Sequence, residues 1–74
     1  MNYDWSEQAN YAINQFTQPQ RSALFTTIRN WANNAGAWNI NVQQVLNTRV
    51  GAIGVRVTAT RTAANRVRID DIEP

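Results

Sequence analysis

Residues 55 to 70 read VRVTATRTAANRVRID: apolar and polar residues alternate, break at a small polar stretch, then alternate again. Val55, Val57 and Ala59 form the apolar set on the way out, Val67 and Ile69 on the way back. Arg56, Thr58, Thr60, Arg66, Arg68 and Asp70 fill the other positions. A period of two puts each set on its own side of a strand, which predicts a half-buried antiparallel hairpin. Asn65 suits a left-handed position in the turn. For both apolar sets to face one side, paired residue numbers must sum to an even total. A pairing centred on Ala63 meets that condition, and it sets Arg56 across from Asp70 and Thr58 across from Arg68.

That sheet needs a cover, and the N-terminal half supplies helices. Ala9, Ala12, Ile13 and Phe16 recur at helical spacing in residues 6 to 16, with Ser6 placed to cap the start and Glu7 in the first turn. TQPQ at 17 to 20 has the form of a capping box, Thr17 with Gln20, and Pro19 is tolerated in a first turn. A second helix then presents Leu24, Ile28, Trp31, Ala32 and Ala35 on one stripe, with Gly36 as a left-handed stop. The expectation is an α+β fold: a helical hairpin over about residues 6–35, packed on a small antiparallel β-sheet over about residues 50–72. AWNINVQQVLNTRVG, residues 37 to 51, supports two readings. Trp38, Ile40 and Val42 alternate as in a strand, whereas Val42, Val45 and Leu46 fit one face of a short helix. No internal repeat or domain boundary is visible in the 74 residues, so they read as a single domain, 1–74, with a thin core.

Composition excludes much chemistry. The chain has no cysteine and no histidine, which removes disulfides, a zinc site and any Cys/His or Ser/His nucleophile pair. Asp70, Asp71 and Glu73 are the sole carboxylate cluster and read as a solvated chain end, so neither a metal nor a cofactor is expected. No apolar run approaches the roughly 20 residues of a membrane span, and MNYDWSEQAN lacks the order of a signal peptide. A cytoplasmic protein, or one made by a phage or plasmid, is therefore expected. The net charge is only +2, yet its seven cations are all arginine, the planar bidentate partner of phosphate and carboxylate. Arg49, Arg56, Arg61, Arg66 and Arg68 fall in the strand region. They are the candidate binding residues, for an acidic protein or a phosphate backbone. Arg61, Arg66 and Arg68 are expected to be dispensable for folding, because exposed arginines add little to stability.

Read in order, the chain resembles the RelE/ParE superfamily of bacterial toxins from toxin–antitoxin pairs. YDWSEQANYAINQFTQPQRSALFTTIRNW resembles the family's opening strand and helical hairpin, VRVTATR its core strand with two arginines, and RVRIDDIE its last strand. The resemblance implies a sheet face that engages a macromolecular target, with an antitoxin as the acidic protein partner. Arg56 and Arg61 match the two arginines of the core motif. The departures bear on activity: Ala52 and Gly54 stand near the family's strand lysines, Thr60 replaces an aromatic, and Glu73-Pro74 stand where closing basic residues would begin. Proton transfer from an RNA 2′-hydroxyl needs a group that titrates near neutrality, and arginine does not. Tyr3 and Tyr11 lie in N-terminal elements. A nuclease is therefore not expected, whereas a target-blocking protein survives the losses.

Two other readings compete. If NINVQQVLN is a helix, three helices precede a hairpin, as in a winged helix, and Gln43, Gln44 and Asn47 would be placed to read base edges. Alternatively, a small chain without lysine, histidine or a catalytic set fits a phage-encoded inhibitor, such as an anti-CRISPR protein, that works by covering a site. Trp5 or Trp38, if exposed, would anchor such an interface. A homo-oligomer is compatible with each reading.

Overall fold

The computed structural model describes residues Met1–Pro74. Strand β1 (Asn2–Trp5) is followed by helices α1 (Glu7–Ile13) and α2 (Gln18–Asn33). Strands β2 (Gln43–Val50), β3 (Ile53–Ala63) and β4 (Arg66–Glu73) complete the chain. The fold is α+β, as the pattern predicts. The sheet is mixed rather than antiparallel: its strand order is β1-β4-β3-β2, and β1 runs parallel to β4. The helices carry the chain over one face, from the β1 edge to the β2 edge. A meander then returns it to β1. α1 lies against β4 and α2 approaches β2, so each helix packs chiefly on the sheet and the expected helical hairpin is only roughly matched.

Local signals set the helix ends. Ser6 caps α1 by accepting the Ala9 N–H at 3.0 Å. Thr17 and Gln20 form the reciprocal capping box of α2, with Pro19 in its first turn. α2 ends at an Asn34 cap, and Gly36 takes the left-handed conformation beyond it at φ 61°. The helical stripe meets the sheet's apolar face in one core: Ala9, Ile13, Leu24, Ile28 and Ala32 against Val55, Val57, Ala59, Val67, Ile69 and Ile72.

Three expectations need correction. Residues 43–50 are a strand, so the three-helix layout of a winged helix is not formed. Side chains of β2 alternate: Val45 is exposed on the open face, and Leu46 packs at the core margin on the other. The hairpin register also differs. Arg56 stands across from Glu73, not Asp70, and Thr58 across from Asp71, not Arg68. The turn causes this: it lies at Ala64–Asn65 rather than about Ala63, which slides β4 three residues from the expected pairing. Two register shifts, one between Thr58 and Ala59 and one between Arg61 and Ala63, cancel each other and leave Asp70 and Thr62 as extra residues in β4 and β3. Lastly, Asn65 is not left-handed; Asn41, at φ 67°, is the non-glycine residue that is. The turn at Ala64–Asn65 thus lacks the positive φ of the favoured two-residue hairpins, and the bulge at Thr62 absorbs the mismatch in twist. Between β2 and β3 the turn has positive φ at Gly51 alone, the pattern with glycine first.

Candidate interaction face

The helices leave the other side of the sheet open. Alternation places Gln43, Val45, Asn47 and Arg49 of β2 there, beside Gly54, Arg56, Thr58 and Thr60 of β3. Arg66, Arg68, Asp70, Asp71 and Glu73 of β4 continue the face, and Asp4 of β1 closes it. Four arginines thus share the face with four carboxylates. The charges balance, so this is a mixed lattice and not a basic patch.

Its two ends differ. At the β1 end, Arg66 donates to both oxygens of Asp4 at 2.9 and 3.1 Å. Arg68 Nε donates to Asp70 Oδ1 at 2.5 Å. The other Asp70 oxygen accepts from the Thr60 hydroxyl at 2.6 Å and from the Gln43 amide at 3.2 Å. Burial works to raise the Asp70 pKa, but the hydrogen bonds from Thr60, Arg68 and Gln43, with the charge of Arg68, hold it below the usual aspartate value. This cluster ties β2, β3 and β4 together at the bulge. It explains why Thr60 is the buried polar residue of the molecule.

At the opposite end the arginines are free. Arg49 and Arg56 form no ion pair and no hydrogen bond with another side chain, and both line a hollow of about 350 Å³ with Asn47, Thr48 and Glu73. Arg49 pairs across the ladder with Gly54, which leaves the floor bare, and a Cβ added at Gly54 would meet nothing within 4 Å. The Glu73 carboxyl is raised above the usual glutamate value, first by its hydrogen bond with Asp71 and then by that neighbour's charge, while Arg56 pulls it down. A second cavity, of about 370 Å³, lies between the end of α1 and Ile53; its lining includes Tyr11, Phe16 and Pro74 but no arginine or carboxylate side chain.

Arg61 is absent from the open face. It pairs with Val67, on the core side of the sheet. Its guanidinium donates to the carbonyls of Trp38 at 2.9 Å, Ala63 at 3.3 Å and Ala64. Its backbone accepts from Asn41 at 2.6 Å and donates to Val42 at 3.3 Å. Arg61 therefore clamps the segment that leads into β2. The signal was its odd number: 55, 57, 59 and 61 share a side. The amides of the base-reading proposal are likewise divided, with Gln43 and Asn47 on the open face and Gln44 half-buried on the other. Neither end tryptophan is an exposed anchor. Trp38 is buried against Trp31 at a ring separation of 5.0 Å, and Trp5 packs edge-on against Phe25 at 4.9 Å.

No family model, no curated protein and no solved structure matches this chain. No helix is long and apolar enough to cross a membrane.

Proposed function

We propose that this chain is a non-catalytic binding protein that covers a site on an acidic protein partner, with the Arg49–Arg56 hollow as the point of capture. One observation carries the reading: the two open-face arginines without an ion pair converge on the same hollow over a glycine. A guanidinium pair there can receive a carboxylate by bidentate hydrogen bonding. The surrounding lattice of alternating charge favours a protein over a nucleic acid, because Asp4, Asp70, Asp71 and Glu73 would lie against phosphates. Covering without chemistry is also the mode left open by the resemblance to the RelE/ParE superfamily, and the mode of phage-encoded inhibitors. The absence of histidine, lysine and cysteine supports it.

The test is an amide-resolved NMR titration with a glutamate-rich peptide and, separately, with a short RNA or DNA duplex. The peptide should shift Arg49, Gly54 and Arg56, and Gly54→Leu should abolish the response by filling the hollow without disturbing the backbone. If the duplex shifts the whole open face and the peptide shifts nothing, the protein-partner reading is wrong. RNA cleavage by the purified chain would overturn the non-catalytic part.

A further inference from the structure

We propose that the free edge of β2 is a dimerisation edge, on which a second copy of this chain pairs antiparallel about a two-fold axis at Leu46. The two edges of the sheet are unequal. β1 offers four residues and β2 offers eight, in unbroken register with β3. Protective edge devices are charged side chains, proline, a bulge or short length, and β2 has only the first, at one position. Its single charge is Arg49.

The backbone phase of that edge is fixed. Arg61 exchanges hydrogen bonds with Asn41 and Val42, and the Gly51–Ala52 turn closes Val50 onto Ile53. Odd-numbered residues of β3 therefore bond toward β2, and their partners Gln44, Leu46, Thr48 and Val50 bond inward. Gln43, Val45, Asn47 and Arg49 are left with N–H and C=O pointing out.

One antiparallel register satisfies all four of these residues on both copies. Gln43 meets Arg49 of the second copy, Val45 meets Asn47, and the axis passes through a Leu46–Leu46 pair. That pair is of the non-hydrogen-bonded kind, with Cα atoms about 4.5 Å apart and side chains in contact. It would add the partly buried Leu46 of one copy to that of the other, and would cover the flank of Val45, now 51% exposed. Charge agrees with the register. Arg49 meets the Gln43 amide, whose nitrogen already donates to Asp70 and whose oxygen is free to accept. In-register parallel pairing would instead stack Arg49 on Arg49. The result is a continuous eight-stranded sheet in which Arg49 borders both the seam and the Arg49–Arg56 hollow of its own copy. An edge of this size lies at the low end of specific interfaces, and the dimer should be concentration-dependent.

Because the chain has no cysteine, introduced thiols report the register directly. Under mild oxidation Leu46→Cys should cross-link to its own copy, since the axial Cα separation suits a disulfide. Gln44→Cys alone should not, because four residues of offset separate the two thiols by about 13 Å. An equal mixture of Gln44→Cys and Thr48→Cys should cross-link again. In sedimentation equilibrium the wild-type mass should climb from 8.4 kDa toward twice that value with concentration. Asn47→Pro, which deletes an outward N–H only, should hold it at the monomer with unchanged far-UV circular dichroism. A wild-type chain that stays monomeric overturns the proposal and leaves the edge to an extended strand of another protein. Cross-linking of Gln44→Cys as fast as Leu46→Cys overturns the register.

Discussion

Arg61 and Asp70 show how one side chain can serve the backbone around it. Arg61 donates to carbonyls at Trp38, Ala63 and Ala64, joining the segment before β2 to the β3–β4 turn. Arg61→Gln should therefore destabilise the protein by about 1.5–3 kcal/mol, the range for hydrogen bonds to a charged group, read as a lower denaturant midpoint. Arg66→Gln should change it by less than about 1 kcal/mol, because the Arg66–Asp4 pair is exposed. The triple change at Arg61, Arg66 and Arg68 is thus not neutral for folding, contrary to the expectation from composition. Asp70 has a depressed pKa in the folded state. Its contribution is present above the ordinary aspartate value and is lost as pH falls through the lower folded value. Asp70→Asn should lower the melting temperature at neutral pH, and the gap to wild type should close in acid. An equal gap at both pH values would show that Asp70 acts by shape rather than charge.

Ser6 plays a comparable part at the level of elements. Its hydroxyl accepts the Ala9 N–H to start α1 and donates to the Asp70 carbonyl at 2.7 Å, so one residue fixes both the helix entry and the β4 bulge. Ser6→Ala should cost about 1–2 kcal/mol in thermal unfolding, more than the cap bond alone, and Thr17→Ala about 1 kcal/mol. The elements differ in how far their sequences reveal them. The α2 stripe and the Val55–Ala59 alternation were legible because each has its own period. Ile72 breaks the alternation after Ile69, and only the bulge at Asp70 returns it to the core. Val42, Val45 and Leu46 mimic a helix because Val45 is an exposed apolar residue on the open face of a strand. For the candidate site, Arg49 and Arg56 were visible as arginines in a strand region. Their shared hollow was not, since it requires the cross-strand pairing of Arg49 with Gly54.

Across the whole molecule, the balance of charge is more informative than the net value. Four carboxylates interleave with four arginines on the open face, and at one end alone the guanidinium groups form no salt bridge. Neutralising that end with Arg49→Gln and Arg56→Gln together should leave the melting temperature within a few degrees, because neither side chain is bonded to the fold. It should nonetheless abolish the response to a glutamate-rich peptide. The same change at Arg66 and Arg68 should leave that response in place.

The strand order also sets a timetable. β4, which follows the other three strands in sequence, occupies an interior position between β1 and β3. Until residues 66–73 have been made, β1 has no neighbour to pair with and the buried face of β3 lacks Val67, Ile69 and Ile72. A nascent chain that has reached Asn65 holds two amphipathic helices and a β2–β3 hairpin but cannot close a core. Completion waits on the pairing of residues 2–5 with residues 66–69, a non-local contact of the kind that slows folding. Assembly should therefore occur in one late step, and a chain stopped at Asn65 should lack the near-ultraviolet dichroism of packed Trp5 and Trp31.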